Sequence, residues 1–160
     1  MDNAFRHIHV NYQLVCNFMA VFSRMEYALK VTRFAVGNEG YISASWDKFA
    51  NEANNDFDVN LSEELAASVE YLWDFPPRRQ TLNCERQITF EDFHIDRNQA
   101  KLQQLLLMVR TVRNNLFHGG KYSPEGEVEP GRNEALVNAS LIILNECASL
   151  VPDVAEAFDR

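Results

Sequence analysis

One unbroken helical signal limits what this chain can fold into. From about Val10 to Val36 there is neither proline nor glycine, and Leu14, Phe18, Val21, Phe22, Met25 and Leu29 recur at helical spacing. The spacing predicts a long amphipathic helix. Its other side is not purely polar, because Tyr12, Cys16, Met19, Tyr27 and Phe34 gather there among Ser23, Glu26 and Lys30. A helix with two apolar sides takes two neighbours, either inside the domain or across a dimer contact. Gly37 and Gly40 bracket the expected stop.

Further helical segments follow. Ser43 to Asn54 carries Trp46, Phe49 and Ala50 as one apolar side, and Asn54-Asn55-Asp56 breaks it. Ser62 to Trp73 has Leu61, Leu65, Val69 and Leu72 near its buried side, with Asn60 and Glu63 at capping-box spacing, and Pro76-Pro77 ends it. Between Arg78 and Ile95 the helical period disappears; this stretch reads as a non-helical insertion with a hairpin, in which Gln87 to Phe90 is extended. The next helix starts near Asp96 or Asn98, carries a stripe of Leu102, Leu105, Leu106, Val109, Val112 and Leu116, and is capped by Gly119-Gly120. After a breaker-rich loop from Lys121 to Gly131, a last main helix spans about Asn133 to Leu150, and Pro152 closes it before one or two more turns. The expected fold is all-α, a bundle of about four to six helices within a single domain over residues 1–160.

Composition removes several classes of function. A net charge of -8 argues against a broad basic face that coats nucleic acid, since such affinity comes from phosphate neutralisation by Lys and Arg. Any RNA contact is therefore local or completed by a second subunit. The 3 cysteines, Cys16, Cys84 and Cys147, lie far apart without CxxC spacing, so neither a disulfide framework nor a zinc site is indicated. Absence of a signal-peptide pattern and of any apolar run near roughly 18 residues predicts a soluble, cytoplasmic protein without a membrane partner.

The densest chemical information lies in Arg113-Asn114-Asn115-Leu116-Phe117-His118-Gly119-Gly120. At about 100° per residue, Arg110, Asn114 and His118 form one row and Arg113 falls beside it, away from the apolar stripe. Leu107 and Phe117 sit on the same edge. A permanent cation, a carboxamide and an imidazole side by side suit RNA cleavage by attack of the ribose 2'-hydroxyl. His118 would take or give the proton, and Arg113 would stabilise the charge on the pentacoordinate phosphate. Asn114 would orient a phosphate oxygen or the imidazole. The nucleophile belongs to the substrate, so this chemistry needs neither a metal nor a cofactor, and DNA is spared for want of the 2'-hydroxyl. The same residues also satisfy a helix C-terminus, where cations favour the dipole and glycine caps the last carbonyls.

The run Val112 to Lys121 resembles the Arg-x4-His motif of the HEPN superfamily, with a polar residue directly after the arginine and a helix ending just past the histidine. Phe22-Ser23-Arg24-Met25-Glu26-Tyr27-Ala28-Leu29-Lys30 is similar to the first helix of related members. The resemblance implies an antiparallel HEPN-like helical bundle that forms a homodimer, a metal-independent endoribonuclease with Arg113, His118 and Asn114 at a composite cleft, a role in defence or stress response, and an antitoxin or regulatory protein as a partner. It equally accommodates a non-catalytic HEPN module that binds RNA, a nucleotide or a partner protein. Arg110 and Lys121 add cations near the row. Arg78 and Arg79 make the insertion basic, which fits either a solvated loop or a flap that contacts RNA phosphates.

Other candidates carry less. His7 and His9 have ligand spacing on a strand but no third ligand nearby, and His94 among Asp92 and Asp96 reads as a loop histidine with local hydrogen bonds. Glu26 and Lys30 are spaced for an ion pair on the helix surface.

Overall fold

The computed structural model describes residues 8–96, 98–117 and 129–160. The first helix, α1 (Tyr12–Lys30), starts where the Asn11 side chain accepts a hydrogen bond from the Leu14 N–H at 3.2 Å. The Asn11 N–H itself donates to Glu134, tying this start to a helix more than a hundred residues away. Phe18, Phe22, Met25, Ala28 and Leu29 form the buried stripe. The helix stops at Lys30, earlier than the uninterrupted apolar pattern predicts. Thr32 turns its hydroxyl back onto the Ala28 and Leu29 carbonyls at 2.9 and 3.1 Å, so the last carbonyls are met by a side chain instead of another turn.

The chain then enters an antiparallel hairpin, β1 (Ala35–Asn38) and β2 (Tyr41–Ala44), in register Ala35 to Ala44. Gly37 and Gly40, expected to bracket a helix end, belong to this hairpin. Both have positive φ, 147° and 93°. A Cβ on Gly37 would lie 2.0 Å from the Tyr41 carbonyl oxygen, so close approach of the two strands requires glycine there.

Helix α2 (Trp46–Ala53) buries Trp46, Phe49, Ala50 and Ala53 at helical spacing. Helix α3 (Glu63–Asp74) is capped by Ser62, whose hydroxyl accepts from the Leu65 N–H at 3.0 Å, and has Glu63 and Glu64 in its first turn. The cap thus falls two residues after Asn60, and Leu61, expected near the buried side, is exposed. Past Pro76-Pro77, β3 (Arg79–Leu82) pairs with β4 (Ile88–Glu91) in a second antiparallel hairpin. Its turn is built on Asn83, whose carboxamide oxygen accepts from the N–H groups of Glu85 and Gln87 at 3.0 and 2.8 Å, with Arg86 in left-handed backbone at φ 61°. The hairpin expected within Arg78 to Ile95 is therefore present.

Helices α4 (Lys101–Phe117), α5 (Arg132–Ser149) and α6 (Pro152–Asp159) complete the fold. The Leu102 N–H at the start of α4 donates to the Asn54 side chain at 3.1 Å, joining α4 to the end of α2. Helix α5 packs against α1, α3, α4 and α6. Among its residues only Glu134, Asn138, Asn145 and Ser149 are exposed, a narrow polar stripe on a helix otherwise turned inward. Cys147 lies fully buried there, and burial pushes its thiol well above the usual range; all 3 cysteines are free.

The architecture is mostly helical, as expected, with two small antiparallel sheets, of which the one formed by β1 and β2 was not expected. The first hairpin was hidden because Val31-Thr32-Arg33-Phe34-Ala35-Val36 continues the apolar run. Its β-branched residues equally suit a pleated strand, and Phe34 is buried against Phe49, ring centroids 5.4 Å apart. Among the described residues no single helix is long and apolar enough to cross a membrane.

Two ion pairs anchor this corner. Arg33 pairs with Glu52 of α2 and with Asp153 of α6, the latter at 2.5 Å. The Arg33 hydrogen bond holds the Glu52 carboxyl below its ordinary value. A depressed carboxylate adds stability above its unfolded value and loses it as pH falls through the folded one. Glu52→Gln should therefore lower the thermal midpoint at neutral pH and converge on the native protein in acid, read from melting curves across pH. Leu144→Ala in α5, where the side chain is fully buried, should cost about 2–5 kcal/mol in denaturant unfolding.

Candidate functional site

The C-terminal half of α4 carries the polar residues that the sequence singles out. Its register is set by Leu102, Leu105, Leu106, Met108, Val109 and Val112, all buried. That stripe leaves Arg110, Arg113 and Asn114 on the far side, Asn114 exposed and the other two partly so.

Arg113 is less free than a wheel projection suggests, its side chain being 29% exposed. The guanidinium carbon sits 5.1 Å from the centroid of Phe22 on α1 and 5.2 Å from that of Phe117 on its own helix. Phe22 in turn stacks on Trp46 of α2, centroids 5.0 Å apart and planes 28° from parallel. A column of Trp46, Phe22, Arg113 and Phe117 thus crosses three helices. Attraction of the cation to the aromatic faces favours this seat. The Arg113 Nη1 donates to the Asn114 Oδ1 at 2.9 Å. Its Nη2 lies 3.7 Å from the Glu26 Oε2 of α1, while the other oxygen of Glu26 accepts from the Lys30 Nζ at 2.5 Å. The expected Glu26 to Lys30 pair is present, and its reach to Arg113 is the part that spacing along one helix could not reveal. The Arg113 Nε is enclosed without a hydrogen-bond partner among the described residues.

Arg110 faces Asp47 of α2 at 3.9 Å. Leu107 and Phe117, expected on this edge, are 37% and 63% exposed. His118 and Lys121 lie outside the described residues, as does His7. No group of three or more metal-ligating side chains occurs among the described residues.

The insertion is joined to α4 through Asn115, the neighbour of Asn114 that faces inward. Asn115 is 4% exposed, and its Nδ2 donates to the Arg78 carbonyl at 2.9 Å. The Arg78 side chain pairs with Asp92 at 3.5 Å and with Glu129 at 3.2 Å, and Glu129 also pairs with Arg132, whose guanidinium donates to the Pro76 carbonyl. Arg78 is therefore built into a junction of the hairpin, the end of α3 and the start of α5. Arg79, one residue on, is exposed on β3 opposite Glu91. The structure brings Arg113 and Asn114 together, places Arg110 one turn earlier and sets Arg78 and Arg79 on the separate hairpin.

Sequence reasoning missed Glu26, Phe22 and Asn115 as partners of the motif. For Glu26 a signal existed, since it lies one turn after Phe22 and one before Lys30 on a single row. For Asn115 there was a wheel position near the apolar stripe, where a buried carboxamide demands a hydrogen-bond partner. Asn115→Leu should leave the Arg78 carbonyl without its donor and cost about 1–3 kcal/mol. Amide hydrogen exchange should speed up most in β3 and β4, with the rest of the chain following only the global change.

Comparison of the chain with protein-family models, with curated proteins and with solved structures finds no match.

Proposed function

We propose that the chain is a HEPN-type, metal-independent endoribonuclease that works as a homodimer, with Arg113, Asn114 and His118 at its reaction centre. The observation that carries this reading is the held arginine at the end of a long helix. Its guanidinium is seated on two aromatic rings, its Nη1 is bonded to an exposed carboxamide, and a histidine follows the last described residue of that helix directly in sequence. A cation fixed in this way suits a developing phosphorane charge better than a free-swinging one, because little reorganisation is needed in the transition state.

In the proposed reaction His118 accepts the 2'-hydroxyl proton, the 2'-oxygen attacks phosphorus and the bond from phosphorus to the 5'-oxygen breaks. The departing oxygen takes a proton, leaving a 2',3'-cyclic phosphate and a 5'-hydroxyl end. Arg113 supplies donors to the non-bridging oxygens and Asn114 keeps its fork in plane. Arg110 and Lys121 add attraction for the RNA backbone, and Arg79 extends it along the hairpin. A second copy doubles the local positive charge against a background of -8. An antitoxin or other regulatory protein fits the acidic remainder of the surface.

That net charge also favours a second reading, a non-catalytic HEPN module contacting RNA, a nucleotide or a protein partner through the same surface. A labelled single-stranded RNA incubated with purified protein in EDTA separates the two. Endoribonuclease activity predicts cyclic-phosphate ends, with Arg113→Ala and His118→Ala each slowing cleavage by about 100-fold or more while the circular dichroism spectrum is kept. Equal cleavage by these variants, or none by the native protein, rejects the enzyme.

A further inference from the structure

Half of the Arg113 environment comes from α1. Phe22 and Glu26 stand one turn apart and meet Arg113 near the end of α4, and Lys30, one turn further on, contacts Glu26. Phe22 covers one side of the guanidinium and leaves it free to rotate in its own plane. Glu26 opposes that rotation by drawing Nη2 toward α1, while Asn114 holds Nη1 from the other edge. A carboxylate beside a phosphate-binding arginine would ordinarily cancel its charge. Here Lys30 contacts the opposite oxygen of Glu26, so the cluster of Lys30, Glu26 and Arg113 keeps one surplus positive charge.

We infer that Glu26 is the positioning residue of the Arg113 guanidinium and that Lys30 offsets its charge, so that orientation is gained without loss of phosphate affinity. This inference rests on the endoribonuclease reading for its kinetic consequence, though not for the ordering of Arg113 itself. Orientation acts on the chemical step and net charge on encounter with RNA, so the two residues divide between kcat and KM. Removal of Glu26 leaves the fork held by Asn114 at one edge only and lowers kcat. Removal of Lys30 lets Glu26 neutralise Arg113 and raises KM.

The test uses the full chain with a labelled single-stranded RNA and a side-chain nitrogen NMR signal. Glu26→Ala should lower kcat about tenfold or more with KM within about twofold, Glu26→Gln should recover part of the loss through its remaining oxygen, and Lys30→Ala should raise KM severalfold with a smaller change in kcat. Faster cleavage or tighter RNA binding by Glu26→Ala would mean that the carboxylate competes with phosphate, and would overturn the inference. A loss that only tracks a lowered melting temperature, and that Gln does not restore, would overturn it as well. The Arg113 Nε–H, enclosed in the native protein, gives the second readout. Its exchange with water should accelerate about tenfold in Glu26→Ala and stay near native in Glu26→Gln, since an oriented guanidinium keeps the group covered. This holds even if the native protein cuts no RNA, in which case the enzyme reading fails alone; unchanged exchange in Glu26→Ala overturns the positioning role.

Discussion

Burial of α5 is the constraint to which the other elements answer. A helix that keeps only a narrow polar stripe has to be enclosed on most of its circumference, and α1, α3, α4 and α6 supply the enclosure. Ser140 sits at its fully buried middle, small enough to let neighbours approach. Once α5 is surrounded, α1 and α4 are committed to directions that bring the Phe22 ring under Arg113. The candidate site follows from core packing, since no loop is needed to place the arginine on its aromatic seat.

The core helices were legible because they obey one period over many residues. Phe18, Phe22, Met25 and Leu29, or Leu102, Leu105, Val109 and Val112, can form a continuous face only as helices, and they do. Ends were less legible. The choice between continuing α1 and stopping at Lys30 turns on Thr32, whose hydroxyl can cap the last carbonyls, and on Phe34, which finds a pocket beside Phe49. Neither contact leaves a trace in local periodicity. The same holds for the site. That Arg113, Asn114 and Arg110 lie off the apolar stripe could be read from the wheel, whereas the seat on Phe22, the reach of Glu26 and the tie from Asn115 to the Arg78 carbonyl are contacts between distant segments.

The two arginine-rich regions differ in a way that residue type conceals. Arg78 is held by two carboxylates, its backbone carbonyl is occupied, and it sits where three elements meet. Arg78 and Arg132 meet two carboxylates, Asp92 and Glu129, whereas Arg113 and Lys30 share the single carboxylate of Glu26. Equal formal charges therefore carry different potentials, and a count of basic residues along the chain misjudges where an anion would settle.

The adjacent carboxamides of α4 have one last consequence. Asn114 points outward to Arg113 and Asn115 inward to the Arg78 carbonyl. Since successive helical residues differ by about 100° in direction, this helix can set Asn115 on the Arg78 carbonyl and Arg113 on Phe22 in only one phase. Inserting or deleting a single residue anywhere between Leu102 and Val112 would turn Asn115 off the Arg78 carbonyl and Arg113, with Asn114, off Phe22 and Glu26 together, even if every leucine were replaced by an equivalent one. The stretch should accept substitution far more readily than any change of length.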